Sequence, residues 1–159
     1  MKYEPHDYQK FAVDFIETHP QAAILIGCGL GKTSITLTAL NALMFDRFDV
    51  KKPLIIAPIR VCRNSWAAEI EKWDHLSNLT YSLVLGTSKE RLAALQKKAD
   101  LYIINRENVQ WLIEQSGVAF DFDMVIIDEM SSFKNHQSKR FRALRKVRPF
   151  IKRIVGLTG

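Results

Sequence analysis

Gly27-Cys28-Gly29-Leu30-Gly31-Lys32-Thr33-Ser34 stands between the apolar run Ala22-Ala23-Ile24-Leu25-Ile26 and a helix pattern from Thr33 to about Phe45. Glycines at alternate positions let the backbone turn tightly and present its amides. Those amides and the N-terminus of the following helix make an anion site. Lys32 adds a mobile point charge that reaches β- and γ-phosphates. Thr33 adds a hydroxyl suited to a phosphate-bound Mg²⁺. A glycine belongs six residues before the lysine in the full phosphate-loop pattern, and Ile26 stands there instead. The strand–loop–helix context that this chemistry needs is present.

Outward from this loop, short apolar runs recur. They are Leu54-Ile55-Ile56-Ala57, Tyr81-Ser82-Leu83-Val84-Leu85, Leu101-Tyr102-Ile103-Ile104, Met124-Val125-Ile126-Ile127 and Arg153-Ile154-Val155-Gly156-Leu157. Near-continuous apolar runs of this length read as strands covered on both faces. Helix patterns alternate with them: Asp7 to Thr18, about Val61 to Trp73, Ser88–Lys97 behind a Thr87/Glu90 capping box, Glu107–Gln115, and Ser138–Val147. Strand–helix alternation predicts an α/β domain with a mostly parallel sheet and helices on both faces. Ligands of such sheets gather beyond the carboxyl ends of the strands.

The 159 residues, 47% hydrophobic and 25% charged, fit one globular domain with its own core. No run approaches the roughly 20 apolar residues of a membrane span, and no apolar leader follows Met1, so no membrane partner is expected. Two cysteines, Cys28 and Cys62, make no disulfide framework and no zinc spacing, which sets a reducing cytoplasm as the default. His6, His19, His75 and His136 lack metal spacing and read as surface residues. The net charge of +6 is uneven: residues 1–129 carry 14 basic and 17 acidic side chains, whereas residues 130–159 carry nine basic and no acidic ones. That basic end, with Lys139, Arg140, Arg142, Arg145, Lys146, Arg148, Lys152 and Arg153, suits either a polyanion such as nucleic acid or a face that meets another domain.

The run Met124–Ile127 ends in Asp128-Glu129. Carboxylates at that strand end, beside the first strand, would face a bound triphosphate. Asp128 is the candidate for holding Mg²⁺, and Glu129 the candidate for activating the attacking water.

In this order the motifs resemble the first RecA-like domain of a superfamily-two helicase of the Swi/Snf translocase type. Gly29-Leu30-Gly31-Lys32-Thr33, with Ser34 after it, is similar to motif I; Ala57-Pro58-Ile59-Arg60, with Trp66, Glu69 and Trp73 downstream, to motif Ia. Asp128-Glu129-Met130-Ser131-Ser132-Phe133-Lys134-Asn135 resembles motif II and its Lys-Asn extension, and Leu157-Thr158-Gly159 the first half of motif III. Tyr8-Gln9 resembles the adenine-reading Q motif. The resemblance implies a three-layer RecA-like P-loop NTPase domain over residues 1–159, ending within motif III, with a second RecA-like domain outside the chain. It implies ATP and Mg²⁺ as cofactors, adenine on Gln9, phosphates on the loop from Gly29 to Ser34, and catalysis by Lys32, Asp128 and Glu129. It implies backbone contacts to nucleic acid from Arg60, Asn105 and Lys134, with double-stranded DNA favoured over RNA, and coupling through Ser131 and Thr158. Ser131 departs from the family's Asp-Glu-x-His pattern, where histidine couples the nucleotide site to the second domain. A compact chain of this kind resembles phage-encoded helicases, which would work in the host cytoplasm near the nucleoid.

Trp66 and Trp73, seven residues apart, read as core. Two other functions fit the phosphate loop. A small kinase or clamp-type ATPase would use the basic end as a lid. A nucleotide-gated interaction module would bind ATP, recruit a partner through the basic face, and tolerate loss of Glu129.

Overall fold

A computed structural model of the protein describes residues 1–26, 31–133 and 138–158. Six strands form one sheet: β1 (Gln21–Leu25), β2 (Pro53–Ala57), β3 (Tyr81–Val84), β4 (Leu101–Asn105), β5 (Met124–Asp128) and β6 (Arg153–Thr158). Their spatial order is β1-β6-β5-β2-β4-β3, and every pairing is parallel. The expected strands are all present within a residue of their predicted limits. One expectation of neighbourhood fails: β5 does not lie beside β1, because β6 is inserted between them. Periodicity gives a strand's existence and not its place in a parallel order, which the crossovers decide.

Alternation along the strands separates two cores. Ile55, Ala57, Leu101, Ile103, Met124, Ile126, Val155 and Leu157 point to one face, covered by α1 (Asp7–Thr18), α2 (Lys32–Phe45) and the helical residues 59–72. Leu54, Ile56, Tyr102, Ile104, Val125 and Ile127 point to the other, covered by α5 (Ser88–Gln96), the turn Trp111–Gln115 and α7 (Lys139–Val147), which follows the short α6 (Met130–Phe133). Both faces are thus dry, so the strands read as continuous apolar runs. On α2 Ile35, Leu37, Ala39, Leu40 and Leu43 are fully buried around the helix, which makes it a central helix rather than a surface one.

Residues 59–72 are less regular than their spacing suggests. α3 (Ile59–Val61) passes into a π-helical segment, Cys62–Ala67, before α4 (Ala68–Lys72). Residues 106–115 likewise combine a 3-10 turn, Arg106–Asn108, with a π turn. Trp73 lies just beyond α4 in extended backbone. The first residues strap across this end: Asp74 N–H donates to Met1 O at 2.8 Å, and Tyr3 stacks on His75 with ring centres 4.5 Å apart.

Candidate nucleotide-binding site

Most of the predicted site residues that are described gather at the carboxyl ends of the strands. Gly31 caps α2 with φ +85°, a left-handed conformation that glycine adopts without strain. A side chain there would also lie 2.5 Å from Nε2 of Gln9. Lys32, Thr33 and Ser34 form the first helical turn, and Ser34 Oγ donates to Gly31 O at 2.9 Å. Gly29 and Leu30, expected to cradle phosphate, lie outside the described residues, as do Lys134 and His136.

Lys32 Nζ meets Asp128 Oδ1 at 2.8 Å. Asp128 is 3% exposed. Its Oδ2 accepts from the indole Nε1 of Trp66 at 3.0 Å. Oδ1 has the ammonium's charge beside it but no hydrogen bond in satisfying geometry. Glu129, the next residue, takes φ +55°. A non-glycine residue held in that region marks local strain, which accumulates at functional positions. Its carboxylate faces Arg106, with Nη1 3.8 Å from Oε2. Lys32, Thr33, Asp128, Glu129 and Gln9 line one cleft of about 620 Å³.

Gln9 is buried in the first turn of α1, and its Oε1 accepts from His6 N–H at 2.9 Å, closing a capping box. Tyr3, Tyr8 and Trp73 extend the cleft wall beside it. Ser131 and Thr158, expected to couple, come together: Thr158 Oγ1 donates to Ser131 Oγ at 3.4 Å.

Thr33 and Asp128 supply hard oxygen donors on the same cleft, and no cluster of three metal-ligating side chains exists among the described residues. That is the donor set Mg²⁺ accepts, since it keeps most of its waters and takes one or two protein ligands besides phosphate oxygens. The buried, unsatisfied Oδ1 of Asp128 suits the same ion.

The sequence profile of the SNF2-related domain family matches residues 8–159. The chain belongs to the SNF2-related domain family. It is 33% identical over 163 residues to putative protein p41 of Acyrthosiphon pisum secondary endosymbiont phage 1, an alignment covering 99% of this chain and 35% of p41. Among solved structures, the Sulfolobus solfataricus SWI2/SNF2 ATPase core in complex with dsDNA superposes with TM-score 0.80 at 20% identity, covering 100% of this chain and 32% of that one. The UvsW helicase from bacteriophage T4 gives 0.73 at 17% identity, covering 99% and 53%. The fold is therefore that of a RecA-like helicase core, and the SNF2-related domain spans about a third of p41's length.

In this SNF2-related domain Arg60 is exposed in α3, just past the end of β2. Asn105 departs from expectation. It is 5% exposed, and its Oδ1 accepts from Asn108 Nδ2 at 2.6 Å, so it is not presented to a phosphate here. The end of a strand covered on both faces is dry even where the loop after it is not.

The basic end also divides. Arg153 is buried, donating to Ile16 O, Glu17 O and Asp49 Oδ2, and its hydrogen bond, with the charge of Lys152, holds the Asp49 carboxyl below the usual range. Lys152 pairs with Asp49, Lys146 with Glu114 and Arg140 with Glu107. Lys139, Arg142 and Arg145 are exposed on α7. Counting charge along the chain could not separate structural cations from surface ones.

His75 is not an ordinary surface histidine. It is half-buried, with Nε2 2.8 Å from Thr38 Oγ1, and burial lowers its pKa. Trp66 is core as expected, and fully buried; Trp73 is partly buried and packs its edge on Tyr3. Sequence reasoning missed the indole of Trp66 on Asp128 and the guanidinium of Arg106 near Glu129. Only the position of Arg106, directly after Asn105, hinted at the latter.

Cys62 is buried and bonded to main-chain carbonyls, and burial, reinforced by the Glu107 and Asp128 carboxylates, pushes its thiol up to about 12. It stays a protonated, unreactive core group. No helix among the described residues is long and apolar enough to cross a membrane.

Proposed function

We propose that this domain binds ATP with Mg²⁺ and, in the intact protein, hydrolyses it to move along double-stranded DNA. The observation that carries the reading is the meeting of Lys32 and Asp128 at 2.8 Å in a cleft shared with Glu129.

Each residue has a task in it. Gln9 pairs with the adenine edge through its amide. The loop from Gly29 to Ser34 wraps the phosphates, with amide donors and the α2 N-terminus facing the charge. Lys32 turns from Asp128 to the β- and γ-phosphates, a move its long stem permits. Thr33 and Asp128 are the groups that would hold Mg²⁺, which when bound neutralises charge developing on the transferred phosphoryl group. Glu129 accepts the proton of the attacking water.

Arg60 and Lys134 are assigned to the phosphate backbone of the duplex, contacts that position the domain without reading sequence and that do not themselves separate DNA from RNA. Asn105 is assigned to the same surface only if its bond to Asn108 opens. Ser131 and Thr158 link the acidic strand end to β6 and pass the state of the nucleotide towards a second RecA-like domain. That domain would complete the site with arginine, whose loss from such sites costs about a thousandfold or more in rate, so the 159 residues alone turn over weakly.

Titration of the chain with a fluorescent ATP analogue tests the proposal. Mg²⁺ should tighten binding, and Lys32→Ala should abolish it. Absence of Mg²⁺-dependent binding by the unaltered chain would overturn it.

A further inference from the structure

We infer that Trp66 is a positioning residue for Asp128, its indole N–H holding Oδ2 in place while Lys32 leaves Oδ1 for the nucleotide. The inference rests on the ATP·Mg²⁺ reading above.

Three observations carry it. First, the two oxygens of Asp128 are divided between partners of opposite mobility. Oδ1 meets Lys32, a long side chain that is 20% exposed, whereas Oδ2 meets an indole that is 0% exposed. Second, Trp66 is fully buried in the same core cluster as Ile55, Cys62 and Ile70. Its donor therefore has little freedom to follow another acceptor. Third, Trp66 lies in the π-helical segment Cys62–Ala67. Such segments shift the register of the side chains beyond them and are frequent at functional sites. A core tryptophan needs some acceptor for its N–H, and here the acceptor is the candidate metal-holding carboxylate, 62 residues away in the chain.

The physical need is specific. When Lys32 turns to the phosphates, Asp128 loses its one ion-pair partner among the described residues while still buried at 3% exposure. A buried carboxylate that loses its partner is free to rotate. A fixed hydrogen bond to one oxygen keeps the group aimed, leaving the other oxygen for the ion and its waters. Donors of this kind behind metal-holding groups typically change metal affinity by about 10- to 100-fold when removed.

The experiment compares the unaltered chain with Trp66→Phe, which keeps an aromatic ring in the core and deletes the donor. The Mg²⁺ concentration for half-maximal binding of a fluorescent ATP analogue should rise about tenfold. Binding of the same analogue without Mg²⁺ should change less than twofold, a split that mere core damage would not produce. Should Trp66→Phe not fold, ¹H–¹⁵N spectra of the unaltered chain decide. The Trp66 indole N–H should be protected from exchange and should shift on adding Mg²⁺ with the analogue. An unchanged Mg²⁺ requirement in a folded variant, or an indole N–H indifferent to the complex, would overturn the inference and leave nucleotide binding standing. An unaltered chain that binds no Mg²⁺-nucleotide would overturn both.

Discussion

Lys32 and Asp128 join the helix after β1 to the end of β5 by an ion pair of 2.8 Å, although β6 stands between the two strands. The pair balances a carboxylate that is 3% exposed against an ammonium at the cleft. Removing only the cation leaves the carboxylate short of a partner. Lys32→Ala should therefore lower stability by about 1–3 kcal/mol in urea unfolding. The double variant Lys32→Met with Asp128→Asn should recover part of that loss, since it removes both charges. Equal destabilisation by the single and double variants would contradict a direct pairing.

Glu129 sits at φ +55°, where glycine is at ease and alanine is not. Glu129→Gly should be more stable than Glu129→Ala by about 1 kcal/mol, the reverse of the order in an ordinary helix. In the intact protein Glu129→Gln should keep nucleotide affinity and lose about 10²- to 10⁴-fold in hydrolysis. Thermal unfolding and a steady-state phosphate-release assay measure the two effects separately.

Gly156 on β6 lets the Met130 side chain lie against the backbone: a Cβ there would be 2.0 Å from Sδ and 3.3 Å from Cγ. Gly156→Ala should cost about 1–3 kcal/mol through overpacking. Adding Met130→Ala should restore part of the stability. If it does not, the clash lies elsewhere.

His75 carries a pH dependence. Burial depresses its pKa from 6.5, so the unfolded chain takes up a proton before the folded one does. The stability it contributes is complete above 6.5 and falls as pH drops through that value towards the lower folded pKa. The melting temperature should decline between pH 7.5 and 5. The decline should be shallower in His75→Gln, which can still hydrogen-bond Thr38 but does not titrate. A parallel decline in both proteins would assign the effect to other groups.

Which of these features could be read in advance follows from what sequence encodes. Ile55 and Ile56 point to opposite faces and are both buried, so β2 appears as an apolar run with no alternation. Gly31, Lys32 and Thr33 are recognisable by residue type and spacing alone. The order of the strands is a property of the crossovers, and no local pattern put β6 between β1 and β5. The π segment at Cys62–Ala67 was hidden because its residues suit an α-helix equally well. Trp66 was legible as core and illegible as a donor, because its acceptor lies 62 residues further on. Charge counted along the chain cannot tell that Arg153 is buried, because its acceptors belong to α1 and to Asp49.

The register of β6 has a mechanical consequence. Thr158 is paired with Leu25, the last residue of β1, while Leu157 is paired with Asp128. Two neighbouring residues of β6 therefore border the ends of β1 and β5. A shift of β6 along its own axis would strain both strand ends together, so the two sides of the proposed site would be displaced in concert rather than one after the other.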